Sequence, residues 1–353
     1  MSSTTPALSG HIPQPSAAAT WTRRPSEGRQ AMPSPESGAL KVFYEKTVAA
    51  LIEAPEIDLM LRRAWLDQVH HVTAEPTGVT YADADAGGRP ALWAEPVAEP
   101  GDGVILYFHG GGFVLQSIAS HRKLGGHLAK AANRRVLLLE YRQAPEFPYP
   151  APVDDAEAAF RWLLDQGYSP AQIAFAGDSA GACLALSTVV RLRDNDLGVP
   201  VGVVGFSPWL DLESLPGTLD SNAEYDVLAQ RPLCEESAAA YIQDTGAAAD
   251  GRANPLHADL TGFPPVYLTA SDSECLFDNG ERFAQRARAA GLDVTFVVEH
   301  GQQHVYQFMA GRAPEADRSV AEAGAWLAAR LSAPAPVHTV DGSTPDRRGE
   351  APC

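Results

Sequence analysis

Gly177-Asp178-Ser179-Ala180-Gly181 is the stretch on which the reading of this chain turns. It has the form G-x-S-x-G. Gln172-Ile173-Ala174-Phe175-Ala176, a short apolar strand pattern, runs before it, and Ala182 to Val190, an apolar helical pattern closing in Arg191, Arg193 and Asp194, runs after it. A strand, a tight turn flanked by glycines and then a helix is the setting in which a serine is presented as a nucleophile. Such a turn strains the serine backbone, and glycine on both sides removes the Cβ atoms that would collide there. The hydroxyl then stands at the carboxyl edge of a sheet, beside the partial positive charge of a helix N-terminus. Taken alone, the same five residues also describe an ordinary Gly-Ser turn, so the surrounding pattern has to decide.

Working outward, apolar strands and helical patterns alternate on both sides of this stretch. Val104 to Phe108 and Val136 to Tyr141 are continuous apolar runs of the kind buried on both faces of a sheet. Helical patterns follow each, from His121 to Ala132 and from Asp154 to Gln166. Beyond the serine, strands are expected at Val201 to Phe206, Pro265 to Ala270 and Val294 to Val298, and helices at Asp278 to Ala290 and Ala316 to Leu331. This alternation predicts a mostly parallel sheet with right-handed crossovers. Val79-Thr80-Tyr81 and Ala91 to Ala94, joined across Gly87-Gly88, add an antiparallel hairpin at its edge. Asp278 reads as the cap of its helix, with Glu281 completing a capping box.

Two regions fall outside the alternation. Helical patterns from Ala39 and from Ile57 to Val69 carry Phe43, Leu51, Trp65 and Leu66 before any strand of the sheet begins. About fifty residues between Asp211 and Gly262 lack a strong strand, and an interruption of that length is usually a functional insertion. Both are expected to form a lid over the carboxyl edge. The predicted organisation is a disordered leader at 1–38, cap helices at 39–75, and a catalytic domain at 76–332 with a cap insertion at about 211–262. A disordered Pro- and Gly-rich tail follows at 333–353.

Composition narrows the function. Of 353 residues 45 % are apolar, which suffices for a large core. Acids outnumber bases 44 to 27, a net charge of −17, which argues against nucleic acid or an anionic membrane as partner. There is no apolar run of membrane-spanning length and no signal-peptide pattern at the N-terminus. Cys183, Cys234, Cys275 and Cys353 lie far apart, with neither metal-ligand nor disulfide spacing. A cytoplasmic protein without metal or cofactor is expected, with the oligomeric state left open.

His109-Gly110-Gly111-Gly112-Phe113 follows the Val104 strand directly. Consecutive glycines leave backbone amides free to converge on one small volume, which suits charge developing on a carbonyl oxygen. A plain flexible turn or a phosphate loop are the alternatives; the phosphate reading is weakened because no Lys-Ser/Thr or GxGxxG signature follows. Together with Tyr141-Arg142-Gln143-Ala144-Pro145-Glu146, Ser120-His121-Arg122, Ser207-Pro208-Trp209, His304-Val305 and the serine turn, the chain resembles the hormone-sensitive-lipase-like branch of the α/β hydrolases. It is particularly similar to bacterial esterases of the monoterpene ε-lactone hydrolase type, from about Val79 to Leu331. The resemblance implies the α/β-hydrolase fold: a mostly parallel eight-stranded sheet flanked by helices, with a helical cap.

It also implies the site. Ser179 is the nucleophile, His304 the general base, and the amides of Gly111, Gly112 and Ala180 the oxyanion hole. His109, Gly110 and Asp178 support them, the last by satisfying backbone groups around the oxyanion loop, and the 141–150 stretch positions His109. His300 competes with His304 but lacks the Val-Tyr-Gln-Phe that follows in the family pattern. For the acid, Glu274-Cys275-Leu276-Phe277-Asp278 reproduces the family's acid-x-Leu-x-Asp spacing, which places Glu274 ahead of Asp272. Departures from the family pattern occur at Gln302-Gln303 before His304, at Gln143, and at Ala182-Cys183. The function so implied is hydrolysis of small to medium acyl esters or lactones, small-molecule substrates, through an acyl-enzyme. An amidase, a biosynthetic acyltransferase and a non-catalytic receptor of the plant gibberellin type are the alternatives.

Overall fold

The computed structural model describes residues 21–23, 32–243 and 246–332. Its centre is one sheet in the order β1-β9-β8-β7-β6-β4-β5-β3-β2. The strands are β1 (Trp21–Arg23), β2 (Val79–Asp85), β3 (Pro90–Pro96), β4 (Val104–Phe108), β5 (Arg135–Leu139), β6 (Ile173–Asp178), β7 (Val203–Phe206), β8 (Val266–Ser271) and β9 (Val294–Glu299). The helices are α1 (Gly38–Glu53), α2 (Leu59–Leu66), α3 (Ile118–Ala132), α4 (Ala151–Asp165), α5 (Ala180–Asp194), α6 (Thr218–Ser221), α7 (Arg231–Ile242), α8 (Phe277–Ala289) and α9 (Pro314–Leu331).

The expected eight strands are β2 to β9. The hairpin β2–β3 and the pair β3–β5 are antiparallel, and every other pair is parallel. A ninth strand, β1, pairs parallel with β9 inside the stretch expected to be disordered. Apolar periodicity could not reveal it, because a strand that covers a sheet edge is held by ladder bonds from the backbone. Residues 35–37 also form a 3₁₀ turn, and Ser34 donates from its amide and hydroxyl to the Glu315 carboxylate at 2.8 and 2.8 Å. Residues 1–20 and 24–31 of the leader and the tail 333–353, including Cys353, lie outside the described residues.

Period-two alternation along β4 sends Val104, Leu106 and Phe108 to one face and Ile105 and Tyr107 to the other. The first face packs on α4, α5 and α8 through Phe160, Leu184 and Phe283. The second packs on α3 and α9 through Leu128 and Leu327, and α1 adds Leu40 and Tyr44 there. Parallel β4, β6 and β7 end together, so the loops that follow them share one edge.

Candidate active site

The serine turn is shaped by contact with its neighbours. A Cβ on Gly177 would stand 2.5 Å from the Gly181 carbonyl carbon and 2.8 Å from the Phe108 carbonyl oxygen, and one on Gly181 would run into the same Phe108 oxygen. Only glycine lets α5 start this close to β4. Ser179 between them sits at φ 51°, ψ −119°. A non-glycine residue there stores about 1–3 kcal/mol, which persists because the surroundings over-determine it. Its amide donates to Phe206 O at 2.9 Å, and its carbonyl accepts from Ala182, Cys183 and Trp209 at 3.1, 3.3 and 3.2 Å.

Ser179 Oγ lies 2.9 Å from His304 Nε2, and His304 Nδ1 lies 2.9 Å from Glu274 Oε2. All three residues are buried. Glu274 Oε1 also accepts from Ser207 Oγ at 2.8 Å and from the Ser271 amide at 2.7 Å. Ser207 in turn accepts from the Val305 amide at 3.0 Å, so one hydroxyl ties the acid to the histidine loop. Tyr44 on α1 donates to the His304 carbonyl at 2.9 Å. Burial pushes the Glu274 carboxyl up, against the His304 and Ser271 donors. Burial pulls the His304 imidazole down, but the hydrogen bond and charge of Glu274 prevail and leave it above the ordinary histidine value.

Asp272 is engaged elsewhere. Its Oδ2 is 2.7 Å from His300 Nδ1 and its Oδ1 accepts from the Gly301 amide at 3.0 Å. The His300–Asp272 pair is partly exposed and braces the loop leading to His304. Asp278 departs from its expected role as helix cap. Leu276 is the cap residue and makes no side-chain bond. The Asp278 amide donates instead to Thr218 Oγ1 at 3.0 Å, because α6 of the insertion reaches the start of α8 and supplies the oxygen. The insertion grips the acid loop further on. Asn222 Nδ2 donates to the carbonyls of Asp272 and Glu274 at 2.9 and 2.9 Å, and buried Asp226 accepts from the Cys275 amide at 2.9 Å.

Behind the glycine loop lies a second buried cluster. Asp178 Oδ1 accepts from Tyr107 Oη at 2.8 Å and from the Gly110 amide at 3.2 Å, and Oδ2 is 3.1 Å from His121 Nε2. Burial works to raise the Asp178 carboxyl, but His121 outweighs it and holds the acid below the ordinary range. Burial likewise works against charge on His121, and Asp178 reverses it upward. His109 stacks on Tyr141 with ring centroids 4.3 Å apart, and Tyr141 Oη donates to the His109 carbonyl at 2.7 Å. Burial, with His121 beside it, lowers the His109 imidazole to about 3, so it is neutral. Removing one partner of a buried ion pair strands the other, which costs about 3–5 kcal/mol. Asp178→Asn is therefore expected to destabilise the fold by that amount, read by thermal or denaturant unfolding. An unchanged midpoint would mean the pair contributes nothing.

Gly111, Gly112, Ser179 and His304 line one cavity at the carboxyl edge. Tyr44 of α1, Leu66 of α2 and Leu233, Cys234 and Ser237 of α7 line it as well. Ser207, Tyr107, His121, Asn222 and Asp226 carry no role in the sequence reading. Ser207 and His121 belong to the Ser207-Pro208-Trp209 and Ser120-His121-Arg122 motifs, which is the one local signal. Among the described residues no cluster of three or more His, Cys, Asp or Glu could hold a metal, and no helix is long and apolar enough to cross a membrane.

Residues 105–308 match the family model described as alpha/beta hydrolase fold. The chain belongs to the α/β-hydrolase family. Within it, the chain is hormone-sensitive-lipase-like, a hydrolase of the carboxylesterase and lipase type. It is 38 % identical over 244 residues to the acetyl-hydrolase of Streptomyces hygroscopicus, covering 68 % of this chain and 80 % of that protein. It is 34 % identical over 264 residues to the carboxylesterase/phospholipase LipF of Mycobacterium tuberculosis, 70 % of each. A crystal structure of an esterase from the bacterial hormone-sensitive lipase family superposes with a TM-score of 0.80 at 34 % identity, covering 85 % of this chain and 99 % of that one.

Proposed function

We propose that the chain hydrolyses carboxylic esters of small to medium acyl groups, lactones included, with Ser179 as nucleophile, His304 as base and Glu274 as acid. The observation that carries this is the unbroken line of 2.9 Å contacts from Ser179 Oγ through both ring nitrogens of His304 to Glu274. Glu274 accepts the Nδ1 proton and so leaves Nε2 as the acceptor facing Ser179. Nε2 takes the hydroxyl proton as Oγ bonds to the ester carbon. The amides of Gly111, Gly112 and Ala180 receive the negative oxygen. Collapse breaks the carbon–oxygen bond to the alcohol, which leaves with the proton from Nε2. Water then gives a proton to Nε2 as its oxygen bonds to the acyl carbon; collapse breaks the bond from that carbon to Ser179 Oγ, Nε2 returns the proton to Oγ, and the acid is released. In a lactone the alcohol leaves while still tethered to the acyl chain.

Leu66, Trp209, Leu228, Leu233, Leu276 and Phe308 make the cavity wall largely apolar, which favours an acyl chain over a charged group. In this reading the 39–75 helices and the 211–262 insertion are the cap, supported by the residues each contributes to that wall. The cysteines Cys183, Cys234 and Cys275 are free and buried, which fits the cytoplasm.

A series of p-nitrophenyl esters from acetate to decanoate, with simple lactones and matching anilides, tests the reading. Turnover of the shorter esters is expected; folded protein inert to every ester and lactone would overturn it. The pH profile tests the base separately. Protonated His304 cannot accept the Ser179 proton, so kcat/KM falls as the pH drops through its pKa. Because Glu274 raises that pKa, the acid limb is expected above the ordinary value of 6.5. A limb below that value contradicts the upward shift, and a profile flat to pH 5 contradicts the role.

A further inference from the structure

The loop from Gly111 to Gln116 holds Gly111, Gly112, Phe113 and Gln116 at φ 105°, 65°, 64° and 64°. Phe113 and Gln116 carry Cβ atoms that disfavour this region, so the loop keeps its shape only if its surroundings impose it. What imposes it grips the carbonyl side. The Gly111 carbonyl accepts from the amides of Val114 and Leu115 at 3.1 and 2.8 Å. A peptide unit is planar and trans, so turning that carbonyl inward to the loop turns the Gly112 N–H the opposite way. The far end of the turn is anchored in its own right. Phe113 O accepts from the Ala144 amide at 2.9 Å. Val114 O accepts from Arg63 Nε at 2.8 Å. Leu115 O and Gln116 O both accept from Gln143 Nε2, at 2.8 and 3.0 Å. Four consecutive carbonyls are thus held by two side chains and one amide.

Arg63 belongs to α2 and is itself fixed. It donates to Ala144 O at 2.9 Å and makes two bonds of 2.7 Å to the Glu146 carboxylate. A planar guanidinium with several donors can hold the loop and the 144–146 strap at once, which a lysine cannot do. We propose that Arg63 and Gln143 are positioning residues of the oxyanion hole, and that Arg63 makes the seating of α2 a condition for aiming the Gly112 amide. The inference rests on reading that amide as an oxyanion donor.

The test is Arg63→Ala, Arg63→Lys and Gln143→Leu, with kcat and KM on a short ester, the affinity of a trifluoromethyl ketone analogue of the tetrahedral adduct, and the melting temperature. An oxyanion contact is made in the transition state, so a misaimed donor lowers kcat and leaves KM nearly alone. Arg63→Ala should lose roughly 10- to 100-fold in kcat, since small displacements of a catalytic group cost up to about that. The ketone should weaken by the same factor as kcat/KM. Gln143→Leu should move both quantities in the same direction by less, and Arg63→Lys should recover only part. Asp293→Asn weakens the 2.7 Å pair with Arg330 on α9, touches neither α2 nor any of these carbonyls, and should keep kcat unchanged. A purely structural role would lower the melting temperature without changing ketone affinity in the folded enzyme, and that result overturns the proposal. If Arg63→Ala does not fold, Arg63→Lys and Gln143→Leu decide by the same readouts. Should Ser179→Ala stay active, the underlying reading fails instead; if it is inactive while these variants keep kcat and ketone affinity, only the positioning role falls.

Discussion

Ser179→Ala is expected to lower kcat for ester hydrolysis by roughly 10⁴-fold or more, with the melting temperature nearly unchanged. The size of the loss follows from chemistry. Without Oγ there is no acyl-enzyme, and His304 and the amides can assist only a direct attack by water. The fold should survive because the hydroxyl's partner is His304 Nε2, whereas the strained backbone is held by main-chain groups. The Ser179 amide bonds to Phe206 O, and its carbonyl takes three amides, all retained by alanine. The measurement is kcat/KM on a short p-nitrophenyl ester beside a melting curve. A serine-directed organophosphate should label the wild-type protein once and the variant not at all. Activity near wild type, or stoichiometric labelling at another serine, removes Ser179 from the mechanism.

Glu274→Gln should cost nearly as much, on the order of 10⁴-fold in kcat, because an amide facing Nδ1 can hold the imidazole in the tautomer that carries its proton on Nε2. That nitrogen is then a donor and cannot take the Ser179 proton. The charge that raises the His304 pKa also disappears, so the acid limb of whatever activity remains should move to lower pH. Asp272→Asn is the paired control. It loosens the His300 and Gly301 contacts, which are partly exposed, and exposed pairs of this kind contribute at most about 1 kcal/mol. Less than a tenfold loss is therefore expected there, as an order-of-magnitude limit. A large loss confined to Asp272→Asn would make Asp272 the acid and Glu274 a structural residue.

The two acids show where local reading stops. They stand two positions apart on the loop after β8, and either could leave that strand toward a histidine. Family spacing favours Glu274, but nothing in the ten residues around them says that Ser207, from the end of β7, will stand 2.8 Å from Oε1. Asp272 shows the converse. It is the second candidate acid in the sequence and is paired with His300, the histidine that competes with His304 there. The capping of α8 fails for the same reason: Thr218, sixty positions away, supplies the oxygen that the local pattern assigns to Asp278.

What the sequence by itself determined is everything encoded within a few consecutive residues. The strand–turn–helix around Ser179, the glycines that let α5 approach β4 and the apolar runs of a doubly covered parallel sheet all follow from spacing and backbone freedom. What only the tertiary structure decided are the meetings across long loops. Ser179 and His304 join over 125 positions, and His304 and Glu274 over 30. Arg63 reaches Val114 over 51, and β1 finds the edge of β9 with no apolar periodicity to announce it. A side chain's propensity and pattern describe its neighbours along the chain. Its partner across the chain is chosen by which carbonyls, amides and carboxylates the packed core leaves without one, and that choice exists only once the sheet has formed.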